Sequence, residues 1–290
     1  LQNPYKPNVK ISFLVMAVLV AAFGLQNMGI ISQDGVNFAL TITLLPMIAY
    51  FIFLAWRSFK DGQKQSVWIN GVLALLFAGA LYVGIPRAAR SAYLDYKTRT
   101  TLQLPFEGVW YVVWGGRTLE QNRNAVFKDR RFGYTFTVIA EDGSSLVAEG
   151  DGSRNSDYLC FGMPVLSPGD GEVIAIANDA PDNLPGEPNT QDFPGNYVVI
   201  DHGNGEYSML AHLRLGSVGV EVGDSIVAGQ KVGECGNSGY SGEPHLHYHL
   251  QNTPEWLSGE GLPAQFRDYF AEGGYVERGE PERGQRIEVK

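Results

Sequence analysis

Three stretches without a single charged side chain, residues 11–31, 37–56 and 68–86, fill most of the first ninety positions. They constrain the chain more than any other feature. Each is about 20 residues long, enough for a helix to cross the ~30 Å hydrocarbon core of a bilayer. A helix packed in a water-soluble core carries a polar stripe, and these stretches carry none. Pro46 in the second is tolerated, because membrane helices accept proline more readily than soluble ones. The first is too long for a cleaved signal peptide, and further apolar runs follow it. Residues 1–90 are therefore expected to form a three-helix transmembrane region. No ionisable residue lies inside the runs, which argues against a transporter or proton channel and for a plain anchor in the lipid bilayer.

Lysine and arginine set the expected orientation. Lys6 and Lys10 precede the first run, the next loop carries only Asp34, and the loop after the second run carries Arg57, Lys60 and Lys64. The positive-inside rule then places the N-terminus in the cytoplasm and, after three crossings, everything beyond residue 90 outside it. Arg87, Arg90, Lys97 and Arg99 pull mildly the other way. Long exported domains cross largely regardless of such flanking charge. Residues 91–104 (SAYLDYKTRTTLQL) are polar and read as a linker, with a domain boundary near Pro105.

Charge divides at the same place. Residues 1–103 hold 9 Lys+Arg and 3 Asp+Glu, a net of +6, and residues 104–290 hold 13 and 28, a net of −15. A field of that sign excludes nucleic acid as a broad-face partner of the downstream part. The two cysteines, Cys160 and Cys235, form no C-x-x-C motif, so a zinc ribbon or thioredoxin-like site is excluded. Outside the cytoplasm they are open to pairing as a disulfide, and two buried free thiols are the alternative.

From Phe106 onward the pattern turns to short β-type runs between turn residues. Strands are expected at 109–113, 134–140, 172–177, 197–201, 207–212, 225–227 and 246–250. Asn204-Gly205 is a two-residue hairpin signal. The spacing predicts a β-rich, antiparallel domain. Residues 178–196 (NDAPDNLPGEPNTQDFPGN) are too polar for a core and read as a long loop, a kind of segment that tends to be functional or disordered.

The five histidines carry the chemistry. His245, His247 and His249 alternate in PHLHYHLQ, so a strand sends all three to one face. With His212 on a neighbouring strand they form a candidate site, and His202 stands apart. No H-E-x-x-H, P-loop or G-x-S-x-G segment is present.

Residues 160–251 resemble the lysostaphin-type (LytM-like) zinc endopeptidases of bacterial cell walls. The resemblance rests on FGMPVLSPGDGEVIAI, on GNYVVIDHGNGEYSMLAHL and on VGDSIVAGQKVGECGNSGYSGEPHLHYHLQ, in that order, with GLPAQFRDYF similar to a tail in one branch. It implies an antiparallel LytM-like β-sheet with a groove over the site. It implies that His247 is the retained zinc ligand, and that His212 and His245 flank the zinc-bound water as proton-transfer groups. The other two ligands are implied between residues 111 and 140. There Asn124 stands at the histidine position and Thr135 at the aspartate position, with Asp129 out of register. Neutral carbonyl and hydroxyl oxygens are weak zinc ligands, and a catalytic zinc usually keeps three protein ligands plus water. His249, one step further along the strand at ~7 Å, is a poor substitute.

The implied protein is a degenerate member, a pseudoenzyme without zinc. It would sit in a bacterial cytoplasmic membrane with a periplasmic or extracellular domain of residues 105–290 that binds peptidoglycan or a cell-wall enzyme. Two alternatives stand beside it. One is an active zinc endopeptidase cutting peptidoglycan cross-link peptides, and the other is a scaffold subunit of a membrane complex.

Overall fold

The computed structural model describes residues 49–54, 56–57, 59–62, 72 and 96–289. The chain divides into two units, Leu1–Arg90 and Ser91–Lys290. In the first, residues 49–54, 56–57 and 59–60 are helical. Among the described residues no helix is long and apolar enough to cross a membrane. The three expected spans lie outside the described residues, apart from 49–54 and 56 in the second and 72 in the third.

The second unit is β-rich and antiparallel, as expected. Strand β1 (Gly108–Trp114) pairs with β2 (Tyr134–Thr137), and β3 (Pro164–Leu166) lies in a separate ribbon. Strands β4 (Gly171–Ala177), β5 (Asn196–Asp201) and β6 (Tyr207–Leu213) form a meander, followed by β7 (Ser225–Ile226) and by β8 (Lys231–Glu234), which pairs with β3. Strand β9 (Leu246–Gln251) inserts between β2 and β6, and β10 (Gly261–Leu262) pairs with its end. Strands β11 (Phe266–Ala271), β12 (Gly274–Gly279) and β13 (Arg286–Val289) extend the sheet past β1. The main path runs β12-β11-β13-β1-β2-β9-β6-β5-β4-β7.

The period of two in β9 decides where the core lies. Leu246, Tyr248 and Leu250 face an apolar layer, and His247, His249 and Gln251 take the opposite face. The apolar layer is densely aromatic. Phe106 stacks on Trp110 at 4.5 Å, Tyr134 on Phe136 at 5.2 Å, and Tyr248 meets Phe266 at 5.3 Å. Burying such a side chain stabilises the fold by roughly 1.5–3 kcal/mol.

Three expectations are corrected. The β5–β6 connection is not a two-residue hairpin. Asp201 pairs with Tyr207, and the five residues between them turn through Gly203 and Gly205, both at positive φ. The strand expected at 134–140 ends at Thr137. The third concerns residues 96–104, read as part of a polar linker, which are laid against the β domain. Leu102 and Leu104 are buried, Leu102 bridges to Phe266, and Thr98 Oγ1 donates to the Pro263 carbonyl at 2.6 Å. Such anchoring leaves no periodic apolar signal, because its partners lie far away in the chain.

Glu206 is the strongest of these anchors. It is fully buried in the turn before β6, and its carboxylate accepts from Tyr96 Oη at 2.6 Å, Thr100 Oγ1 at 2.5 Å and the backbone N–H groups of Arg99 and Thr100 at 2.7 and 2.8 Å. Burial alone raises its pKa, but the hydrogen bonds outweigh it and hold the group below the usual carboxylate range. A depressed folded pKa contributes stability above the unfolded value of about 4.3, and that stability is lost as pH falls through the folded pKa. Glu206→Gln is expected to cost about 1.5–3 kcal/mol at pH 7, with the gap to the unmodified protein narrowing below about pH 4. Urea unfolding at both pH values checks it, and a gap that does not change with pH would show that the charge contributes nothing.

Candidate functional site

The site grows out of three adjacent strands. Across β9, His247 stands opposite Thr135 on β2 and Ala211 on β6. The structure brings His212, His245, His247 and His249 together, with ring centroids 4.8 Å apart for His212–His245, 5.8 Å for His212–His247 and 5.1 Å for His247–His249. His202 is elsewhere, bonded to the Asp170 carbonyl and Ser208 Oγ in a structural role.

One end of the cluster is a directed hydrogen-bond chain. The Gln251 amide nitrogen donates to the Thr253 and Glu255 carbonyls, both at 2.7 Å, which turns its oxygen towards His249. That oxygen can only accept, so His249 Nε2–H donates to it at 3.0 Å. His249 Nδ1 is then an acceptor, and His247 Nε2–H donates to it at 2.9 Å. His247 is left with Nδ1 as its lone pair.

The other end is set by carbonyls. His212 Nδ1–H donates to the Ser238 carbonyl at 2.9 Å and His245 Nδ1–H to the Glu243 carbonyl at 2.8 Å, leaving each Nε2 as a lone pair. His212 sits at φ 63°, an uncommon conformation for a residue with a β-carbon, and its backbone N–H is held by the Pro194 carbonyl at 3.0 Å. Local strain of this kind persists where surrounding structure over-determines it, commonly at functional sites. Burial holds His212, His245, His247 and His249 below the ordinary histidine pKa, and the Arg130 charge adds to it in His212, His247 and His249.

The loop 178–195 covers the histidine face. Asn183 Nδ2 donates to the Gly239 and Ser241 carbonyls at 2.6 and 2.9 Å, and Tyr240 N–H donates to the Phe193 carbonyl at 3.0 Å. The loop is therefore pinned to the turn that leads into β9. It delivers Phe193, whose ring lies 6.0 Å from His212 and 6.1 Å from His247. Trp256 closes the same side, 5.2 Å from His249 and 6.4 Å from His247.

Sequence reasoning missed Arg130. Its guanidinium is 4.0 Å from the Phe127 ring and 4.3 Å from Phe193, with Asp129 paired to one terminal nitrogen at 2.7 Å. The run Lys-Asp-Arg-Arg in 128–131 was a signal of sorts, but only the fold separates the two arginines. Arg131 turns away to Glu260 and the Gly261 carbonyl. Thr135 pairs across the strands with His247. Asn124, on the short 3-10 turn Arg123–Val126, borders Gly133, where an added β-carbon would meet His249 Cβ at 3.3 Å and Asn124 Nδ2 at 3.4 Å. Cys160 and Cys235 are buried free thiols with their sulfurs 2.7 Å apart, behind the turn that carries His245.

Residues 156–258 match the family model described as peptidase family M23. A 90-residue segment is 38% identical to the peptidoglycan DD-endopeptidase ShyA of Vibrio cholerae, covering 31% of this chain and 18% of that one. Another of 114 residues is 31% identical to the cell division protein DipM of Caulobacter vibrioides, covering 38% and 17%. A zinc-containing peptidase from Vibrio cholerae aligns in space at 22% identity with a TM-score of 0.33, over 52% of this chain and 36% of that one. The chain thus spans a fifth or less of the length of these curated relatives. The family match begins downstream of Asn124, Arg130 and Thr135, and takes in His212, His245, His247, Phe193 and Trp256. Residues 156–258 therefore carry a match to peptidase family M23 within the β-rich unit Ser91–Lys290.

Proposed function

We propose that the first ninety residues anchor this chain in a bacterial cytoplasmic membrane and that its M23 domain, outside that membrane, binds at peptidoglycan without cutting it. The relatives named as peptidoglycan endopeptidases support the wall as the place of action. The histidine face supports binding rather than hydrolysis. The carrying observation is what surrounds His247: a neutral threonine opposite it, and an arginine guanidinium sharing its aromatic wall. Family M23 implies a zinc ion, and these residues do not fit one. Thr135 and Asn124, at the other two ligand positions that the family resemblance implies, offer only neutral oxygens, which are weak zinc ligands. The Arg130 charge opposes a dication. Among the described residues no three His, Cys, Asp or Glu side chains converge as a metal site. In an oxidising compartment Cys160 and Cys235 are the pair that a disulfide would join.

The test uses the full chain, purified and equilibrated with zinc at neutral pH, then mixed with peptidoglycan sacculi. The expected result is co-sedimentation with the sacculi, no soluble peptide released, and zinc far below one equivalent. Near-stoichiometric zinc lost in His247→Ala, together with peptide release, would restore the endopeptidase instead. A chain that stays in the supernatant would defeat binding at the wall.

A further inference from the structure

Beside the histidine face are two buried N–H donors that no described residue satisfies. Arg130 is only 7% exposed, and its Nε is buried without a hydrogen-bond partner. Trp256 Nε1 is in the same state. Both side chains pack on one ring, Phe193, with Arg130 at 4.3 Å and Trp256 at 6.4 Å. Leaving such a group unpaired costs about 1–3 kcal/mol, and more when it is charged. Native structures seldom keep such donors around one ring without a reason. Asp129 engages only one terminal nitrogen, Nη1. Nε belongs to the other edge, through which a guanidinium takes a carboxylate side-on.

We infer that the Arg130–Trp256 corner of the groove receives the free C-terminal carboxylate of a short peptide, with Arg130 Nε and Trp256 Nε1 donating to its oxygens. The rest of the groove suits a peptide too. The lone pairs left on His212 Nε2, His245 Nε2 and His247 Nδ1 accept hydrogen bonds, which a peptide supplies through its backbone N–H groups. Phe193 and Tyr240, the latter 52% exposed, offer apolar walls. The net −15 of residues 104–290 gives the domain a long-range field that repels anions. Selection for a carboxylate is therefore a short-range matter of two desolvated donors, and added salt changes it little. The choice of a chain-terminal carboxylate over a side-chain one rests on the peptidoglycan reading above, since short wall peptides present carboxylates at their ends.

The experiment is calorimetric titration of the full chain with three probes: N-acetyl-D-alanyl-D-alanine, its C-terminal amide, and an amide-capped peptide carrying one glutamate side chain. Arg130→Gln and Trp256→Phe are titrated in parallel. The second keeps an aromatic ring but loses indole volume together with the N–H, so a packing defect is recognised as one that weakens acid and amide alike, whereas loss of the donor weakens the acid alone. The free acid is expected to bind at least about tenfold more tightly than the amide, equivalent to about 1.4 kcal/mol. Each variant is expected to erase that preference. Equal binding of acid and amide, a preference that survives both substitutions, or tighter binding of the glutamate peptide would overturn the inference. Co-sedimentation with sacculi is measured on the same preparations. If it persists while the acid preference is absent, the carboxylate site fails and binding at the wall stands. If the unmodified chain does not co-sediment, the wall reading itself fails.

Discussion

Gly236→Ala is expected to cost about 3 kcal/mol or more and to disorganise the histidine cluster together with the fold around it. A β-carbon on Gly236 would fall on the backbone of Arg214 and Leu213, at Arg214 N, Arg214 Cα and Leu213 C. Backbone at a buried strand junction has no rotamer to yield, so the strain goes into displacing the chain. That junction holds both ends of the site. The Gly236 carbonyl accepts from His245 N–H at 3.2 Å, and Leu213 and Arg214 directly follow the strained His212. Urea unfolding of the full chain, followed by tryptophan fluorescence, measures the loss. Gly219→Ala is the control: its β-carbon would meet nothing within 4 Å, and its cost is expected to stay within about 0.5 kcal/mol. Similar midpoints for the two variants would show that the close approach is not limiting.

Phe136→Ala is expected to destabilise the domain by about 3–5 kcal/mol through the cavity it leaves. Phe136 is fully buried on β2, stacked on Tyr134 and edge-on to Phe106 at 5.1 Å and Phe266 at 6.4 Å. It therefore joins the strand that carries Thr135 to the aromatic layer behind the site. The unfolding midpoint should fall while the denaturant slope is unchanged, since the same surface is exposed on unfolding. Peptide binding by the folded fraction should survive, because Phe136 faces away from the histidines. A loss below about 1 kcal/mol would mean the surrounding rings collapse into the space.

The two substitutions separate what holds the sheet from what shapes the groove, and the same division runs through what the sequence discloses. Alternation in HLHYHLQ was enough to place His245, His247 and His249 on one face, because side-chain direction in a strand follows from local geometry alone. The β-rich antiparallel class, the strands around residues 109–113, 172–177, 197–201, 207–212 and 246–250, and the long loop at 178–196 followed from period, branching and turn residues in the same way. Strands β10, β12 and β13 left no such trace. β12 is a partly exposed edge strand and β13 buries little beyond Ile287, so their sequences are nearly as polar as loops.

Everything that depends on distant partners was decided by the tertiary structure. Residues 96–104 look like a linker in sequence and belong to the domain because Glu206 and Pro263, more than a hundred residues away, hold them. Arg130 and Arg131 are chemically identical neighbours, and only packing sends one to Phe193 and the other to Glu260. The sequence by itself determined that a face of imidazoles exists. That two unsatisfied donors, Arg130 Nε and Trp256 Nε1, stand beside that face emerges only once residues 130, 193 and 256 are brought together. Desolvation and hydrogen-bond satisfaction are properties of the surroundings, and no residue carries them in its identity.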